Sequence, residues 1–192
     1  MKKILIINGH PDKESFNYAL SRAYQEGASL TDAQISQLNL AELKFNPNLQ
    51  YGYRKRTELE PDLRDAIQKI KEADHLVWVF PMWWYSMPAL MKGFIDRSFL
   101  PGITFENIKG KAFPKKLLKG KSARLIITAD TPRWYDRIFM RSPAIRQFKK
   151  GTLEFCGIKA VKLTYIAVIK GSTQEFREKC LKKIRSLGEN LN

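Results

Sequence analysis

Lys3-Ile-Leu-Ile-Ile-Asn-Gly-His-Pro-Asp-Lys-Glu-Ser-Phe-Asn-Tyr-Ala-Leu-Ser-Arg-Ala-Tyr24 is the stretch from which the fold is read. Its first third is a short β-rich apolar run that stops at Asn8-Gly9-His10-Pro11. After the loop the period changes. Phe16, Ala19, Leu20, Ala23 and Tyr24 recur at i, i+3, i+4, i+7 and i+8, which is one face of a helix, and Ser15 stands where an N-cap belongs. A strand passing through a tight loop into a helix is half of a βαβ unit.

The same alternation continues down the chain. Further strands are expected at Ala33 to Leu40, His75 to Phe80, Ser122 to Thr128 and Ala160 to Val168. Leu63, Ala66, Ile67 and Ile70 predict a helix, with Thr57 and Glu60 at capping-box spacing and Pro61 in its first turn. Leu90, Met91, Phe94 and Ile95 predict another just after Pro88, and Ile145, Phe148 and Leu153 a looser one within Ser142 to Phe155. Ser172 and Glu175 repeat the capping-box spacing before the stripe Phe176, Cys180, Ile184 and Leu187. Five strands alternating with helices imply one α/β domain over residues 1–192: a doubly wound five-stranded parallel sheet, strand order 2-1-3-4-5, with helices on both faces. Ala41 to Arg56 and Leu100 to Lys121 remain as long loops, which in a compact domain tend to carry function.

Composition narrows the function classes. The chain is 44% hydrophobic and 28% charged, as folded domains are. Cys156 and Cys180, with His10 and His75, are too few and too scattered for a disulfide framework or a zinc site, so no metal is expected and reduced cytoplasm is. The apolar run after Met1-Lys2-Lys3 is too short for a secretion signal, and Leu76 to Trp84 too short to cross a bilayer. A net charge of +15 favours anionic partners, but the basic residues are spread along the chain and no nucleic-acid motif accompanies them. Local clusters lie at Lys109 to Lys121 and at Lys149-Lys150.

In such sheets ligands bind beyond the carboxyl ends of the strands where the order reverses, which singles out the loops after strands one, three and four. The first loop is neither a GxGxxG nor a Walker A sequence. Its helix start, with the side chains of His10, Ser15 and Asn17, can donate to a phosphate, or it is a plain cap with a surface histidine. The third loop, Phe80-Pro-Met-Trp-Trp-Tyr-Ser-Met-Pro88, sets three rings in a row at the mouth of the sheet. Consecutive rings between prolines must point several ways, either over a planar ligand or as a plug under a loop. Thr128-Ala-Asp-Thr-Pro-Arg-Trp-Tyr-Asp136 brings two more aromatics to the same edge, although a turn and a helix cap explain Asp130 to Pro132 without a ligand.

Gly9-His-Pro, Ser15-Phe-Asn17 and Phe80 to Arg97 resemble the NAD(P)H:quinone oxidoreductases of the flavodoxin-like superfamily, including the modulator-of-drug-activity and ancillary potassium-efflux branches. The resemblance implies FAD, with FMN as the alternative. The flavin phosphates would lie on His10, Ser15, Phe16 and Asn17, and its ring against Pro81, Met82, Trp83, Trp84 and Tyr85. Thr128-Ala129-Asp130-Thr131 stands where the family commonly has Thr-Thr-Gly-Gly, so that Thr128, Ala129 and Asp130 would touch the flavin, followed at matching distance by Tyr135 near the N1/O2 edge. Arg141 replaces a histidine frequent in the family. Tyr135, Trp84 and Tyr85 would be the catalytic residues, serving ping-pong two-electron transfer from NAD(P)H to a quinone or similar acceptor. A homodimer is expected too. The edge carrying Trp83, Trp84, Tyr85, Trp134 and Tyr135 needs covering, and Leu100 to Lys121 resembles the family's partner-reaching loop, with Phe105 and Phe113 as contacts. The alternative function is a flavin-binding regulatory subunit with weak reductase activity, in peripheral membrane or transporter contact.

Overall fold

The computed structural model describes residues 1–191. Its central sheet contains β1 (Lys3–Asn8), β2 (Gln34–Asn39), β3 (His75–Pro81), β6 (Ser122–Thr128) and β7 (Ala160–Ile166), all parallel, in the order β2-β1-β3-β6-β7. With β6 and β7 as the fourth and fifth strands, this is the 2-1-3-4-5 order expected from the sequence. The side-chain period of two splits the apolar runs into two cores. Leu5, Ile7, Trp78, Phe80, Leu125 and Ile127 face α2 (Pro61–Glu72), α3 (Ala89–Ser98) and the 143–154 segment. Ile4, Ile6, Val77, Val79 and Ile126 face α1 (Phe16–Ala28) and α6 (Gln174–Glu189). On the first side Phe148 sets its edge against Trp78 at 4.9 Å and Phe80 at 5.7 Å. On the second, α1 and α6 approach so closely that a Cβ on Gly188 would strike the Tyr24 carbonyl.

Several local expectations shift. The 61–72 helix is not closed by a Thr57–Glu60 box. Glu60 occupies the N-cap position without a capping bond. Its carboxylate instead pairs with Arg97 at 2.8 Å, a guanidinium 1% exposed that would otherwise be buried without a counter-charge. At α6 the cap is Thr173, accepting from Phe176 N at 3.2 Å, while Ser172 Oγ accepts from Arg177 Nε. The helix expected within 142–155 is a short α5 (Pro143–Arg146) followed by a π-helical stretch, Gln147–Glu154. The Leu100 to Lys121 loop contains a two-residue hairpin, β4 (Phe105–Glu106) with β5 (Lys115–Lys116). Phe105 packs within its own chain on Phe155, ring centroids 5.1 Å apart, whereas Phe113 is 82% exposed. A short helix of which the sequence showed only the cap at Asp130 to Pro132, α4 (Arg133–Ile138), follows β6.

Candidate functional site

The order reverses between β1 and β3, where Gly9 N donates to Val79 O at 2.9 Å. In the loop beyond, Asn8 Oδ1 accepts from His10 N and His10 Nδ1 accepts from Asp12 N at 3.0 Å. Burial holds the His10 pKa below its usual value, against the opposing pull of Asp12. The ring is therefore neutral at pH 7, and with Nδ1 accepting, its proton sits on Nε2 as a donor. Ser15 Oγ caps α1 by accepting from Tyr18 N, which leaves the amides of Phe16 and Asn17, with the positive dipole end, at the start of the helix. Asn17 and Thr128, both buried, bond each other at 2.8 and 3.1 Å, tying the start of α1 to the end of β6.

After β3 the backbone takes a form its residues do not favour. Trp83 and Ser86 exchange both backbone hydrogen bonds, at 3.0 and 2.9 Å, around a two-residue turn whose central residues, Trp84 and Tyr85, have φ of 49° and 55°. Asn and Gly suit such a turn, whereas large side chains there cost about 1 kcal/mol each. Trp84 at the tip of this turn is 98% exposed, while the Trp83 ring lies edge-on to His10 at 5.4 Å.

The loop after β6 is fixed by two backbone hydrogen bonds, Ala129 N to Ile166 O and Ile169 N to Ala129 O, and by the Asp130 carboxylate, which accepts from Lys170 N at 2.6 Å. Tyr165 donates from its hydroxyl to Thr131 O at 2.9 Å, and burial with Asp136 nearby pushes its pKa up to about 12, so it stays protonated. The Arg133 guanidinium lies over the Tyr165 ring and pairs with the fully buried Asp136, which also accepts from Ser142 Oγ at 2.8 Å. That network anchors α4, from which Tyr135, 39% exposed, stacks on Phe139 at 5.1 Å. Arg141 is exposed with φ of 57°.

Together the three loops form a cleft of about 250 Å³ lined by His10, Ser15, Phe16, Asn17, Pro81, Met82, Trp83, Thr128, Ala129 and Asp130. Trp84 and Tyr85, at the tip of the turn after β3, and Tyr135, on α4, do not line it. Ile169 and Arg177 also line it and escaped the sequence reading. Arg177 stacks its guanidinium over the Phe16 ring at 5.5 Å. Larger clefts exist near Tyr53 and Phe105 and along α1 and α6, but none gathers these loops.

No group of metal-ligating side chains gathers among the described residues. Cys156 and Cys180 have thiol pKa values raised by burial, so neither is a ready nucleophile. The cleft has what non-covalent binding of an anionic, planar molecule requires: a helix start, a neutral histidine donor, an arginine, and rings held in place.

A doubly wound parallel sheet of this order, with three loops converging at the switch point, defines a flavodoxin-like α/β protein. Residues 2–187 match the family model described as flavodoxin-like fold, and the chain belongs to that family. Human ribosyldihydronicotinamide dehydrogenase [quinone] is 30% identical over 184 residues, covering 83% of this chain and 79% of the relative. The crystal structure of Smu.1420 from Streptococcus mutans is 34% identical with a TM-score of 0.86, covering 98% and 99% of the two chains. An FMN-dependent NADH-azoreductase of Bacillus anthracis, solved with FMN, is alike in fold: TM-score 0.74, 19% identity, 100% and 99% covered.

Proposed function

We propose that the chain is a flavin-dependent NAD(P)H:quinone oxidoreductase. The observation that carries this is the cleft in which phosphate donors from α1 meet Pro81, Met82 and Trp83, the last of them opening the strained Trp84–Tyr85 turn at the cleft's edge. Strain of that kind is retained where it serves a ligand. The quinone-reducing name of the human relative and the FMN held by the azoreductase support the same reading.

The residues fit the group. The first-turn amides of α1, the Nε2 proton of His10 and the Arg177 guanidinium would hold the flavin phosphates, and Ser15 and the Asn17–Thr128 pair keep the cradle in shape. Pro81, Met82 and Trp83 would wall the ring, with Ala129 and Asp130 closing the far side. FAD is favoured and FMN is the alternative. The bound flavin supplies two-electron chemistry between a nicotinamide and a quinone. Trp84 and Tyr85 offer stacking surface to whichever substrate is present, and the Tyr135 hydroxyl donates where negative charge develops. One stacking surface serves both substrates in turn, so double-reciprocal plots should be parallel.

The unpaired thiols of Cys156 and Cys180 suit the cytoplasm. No helix among the described residues is long and apolar enough to cross a membrane. A second copy would cover the exposed rings of Trp84 and Phe113, making a homodimer. Extracting the cofactor of freshly purified protein and identifying it by chromatography tests the proposal. FAD or FMN is expected, and colourless protein that takes up neither would end it. Flavin uptake with negligible quinone turnover would instead favour a regulatory subunit of a transporter.

A further inference from the structure

Helix α4 is built inside out. With 3.6 residues per turn, Asp136 lies about 200° around the axis from both Trp134 and Ile138. The carboxylate points inward and is fully buried, while Trp134, Ile138 and Phe139 are 60%, 64% and 64% exposed. Their neighbouring rings form one continuous surface: Trp134 meets Tyr135 at 5.7 Å and Phe139 at 6.1 Å. Arg137 within the helix and Arg141 just beyond it are also exposed. The patch is held firmly. Ser142 N donates to Asp136 O at 2.8 Å, Ser142 Oγ donates to the Asp136 carboxylate, and Arg133 pairs with the same oxygen. A single exposed apolar residue is ordinary, whereas a contiguous, braced apolar surface marks an interaction site.

We propose that α4 docks the protein on an anionic phospholipid surface. Trp134, Ile138 and Phe139 enter the headgroup boundary, and Arg137 and Arg141 meet the lipid phosphates. Tryptophan and phenylalanine beside arginine are the side chains that this boundary favours, and a chain of net charge +15 is drawn to it over a longer range. A second copy fits this patch less well. A two-fold contact centred on α4 would bring Arg137 and Arg141 against the same cations of the mate. Because α4 follows β6 at the carboxyl edge, docking sets the proposed redox site beside the bilayer, where lipophilic quinones dissolve. That last consequence alone rests on the proposed function.

The test is co-sedimentation of the purified full chain with vesicles of phosphatidylcholine, with and without phosphatidylglycerol. The chain should associate with the anionic vesicles alone, and added salt should weaken the association. Arg137→Glu with Arg141→Glu should weaken it more than about fivefold per arginine, since each charge is reversed rather than removed. Trp134→Ser with Phe139→Ser should weaken it by about tenfold or more through lost apolar contact. Reduction of a water-soluble quinone should be unchanged in Arg137→Glu alone, which should still weaken docking by more than about fivefold, so failure of docking and failure of the enzymatic reading remain separate. Absence of binding to anionic vesicles at low salt would overturn the proposal, as would binding that neither variant weakens. A drop in oligomeric mass in the Trp134/Phe139 variant would overturn it too, by showing that the patch is an interface between copies. Should that variant misfold, the arginine pair decides alone, because both side chains are exposed.

Discussion

His75 lies on the α1 side of β3, 3% exposed, with Nδ1 2.7 Å from Ser122 Oγ. Burial first, then the charges of Lys2, Arg124 and Lys162, lower its pKa from 6.5 to about 4. The unfolded chain therefore takes up this proton before the folded one does. The stability it contributes is fully present above pH 6.5 and is lost as pH falls towards 4, by about 3 kcal/mol. Urea unfolding at pH 7 and at pH 4.5 should show a steeper loss in the parent than in His75→Gln. Equal losses would mean that His75 titrates normally. At the β3 turn the expected trade runs the other way. Replacing Trp84-Tyr85 by Asn-Gly relieves the left-handed strain and should raise stability by about 1–2 kcal/mol. The same change removes the stacking surface, so quinone turnover should fall.

Asp136 is the residue by which α4 is held to the body of the domain. Asp136→Ala leaves Arg133 without its counter-charge and opens the Ser142 contact, at a cost of about 1–2 kcal/mol, because the buried hydrogen bonds are lost while the Arg133 side chain, 39% exposed, recovers water. Thermal unfolding should show that loss, and flavin affinity should weaken with it as Tyr135 shifts. Of the helix carrying these residues the sequence showed only a cap at Asp130 to Pro132 and no apolar stripe. A helix is recognised by apolar residues on its inner face, and α4 places a carboxylate there and Trp134 and Ile138 outside. The strands were legible for the opposite reason: Ile4 to Ile7 and Leu76 to Phe80 are buried on both faces of a parallel sheet and read as unbroken apolar runs. Caps lay between. Ser172 and Thr173 are adjacent and equally able to cap, and Glu60 matched a capping box but was claimed by Arg97, a demand set by tertiary burial. Arg177 reaches the cleft from the far end of the chain, so no local spacing pointed to it.

At the scale of the whole molecule, the sheet order brings the loops after β1, β3 and β6 to one edge, and that convergence made most of the cleft legible before its geometry was known. What covers the edge is a matter for two chains. Light scattering at micromolar concentration should give the mass of a dimer, and Trp84→Ser with Phe113→Ser should shift it towards a single chain. A dimer indifferent to both substitutions would place the interface elsewhere. The most direct measurement is a flavin titration: protein stripped of cofactor is titrated with FAD or FMN, and NAD(P)H-driven quinone reduction is followed at each addition. Activity should rise in proportion to bound flavin and level off at one per chain, and Ser15→Ala with Asn17→Ala should demand more flavin for the same activity while the fold survives, since the lost cap costs about 1 kcal/mol and the lost Asn17–Thr128 pair about 1–3 kcal/mol more. Turnover that proceeds without flavin, or a chain that binds flavin no better after stripping than an unrelated protein, would contradict it.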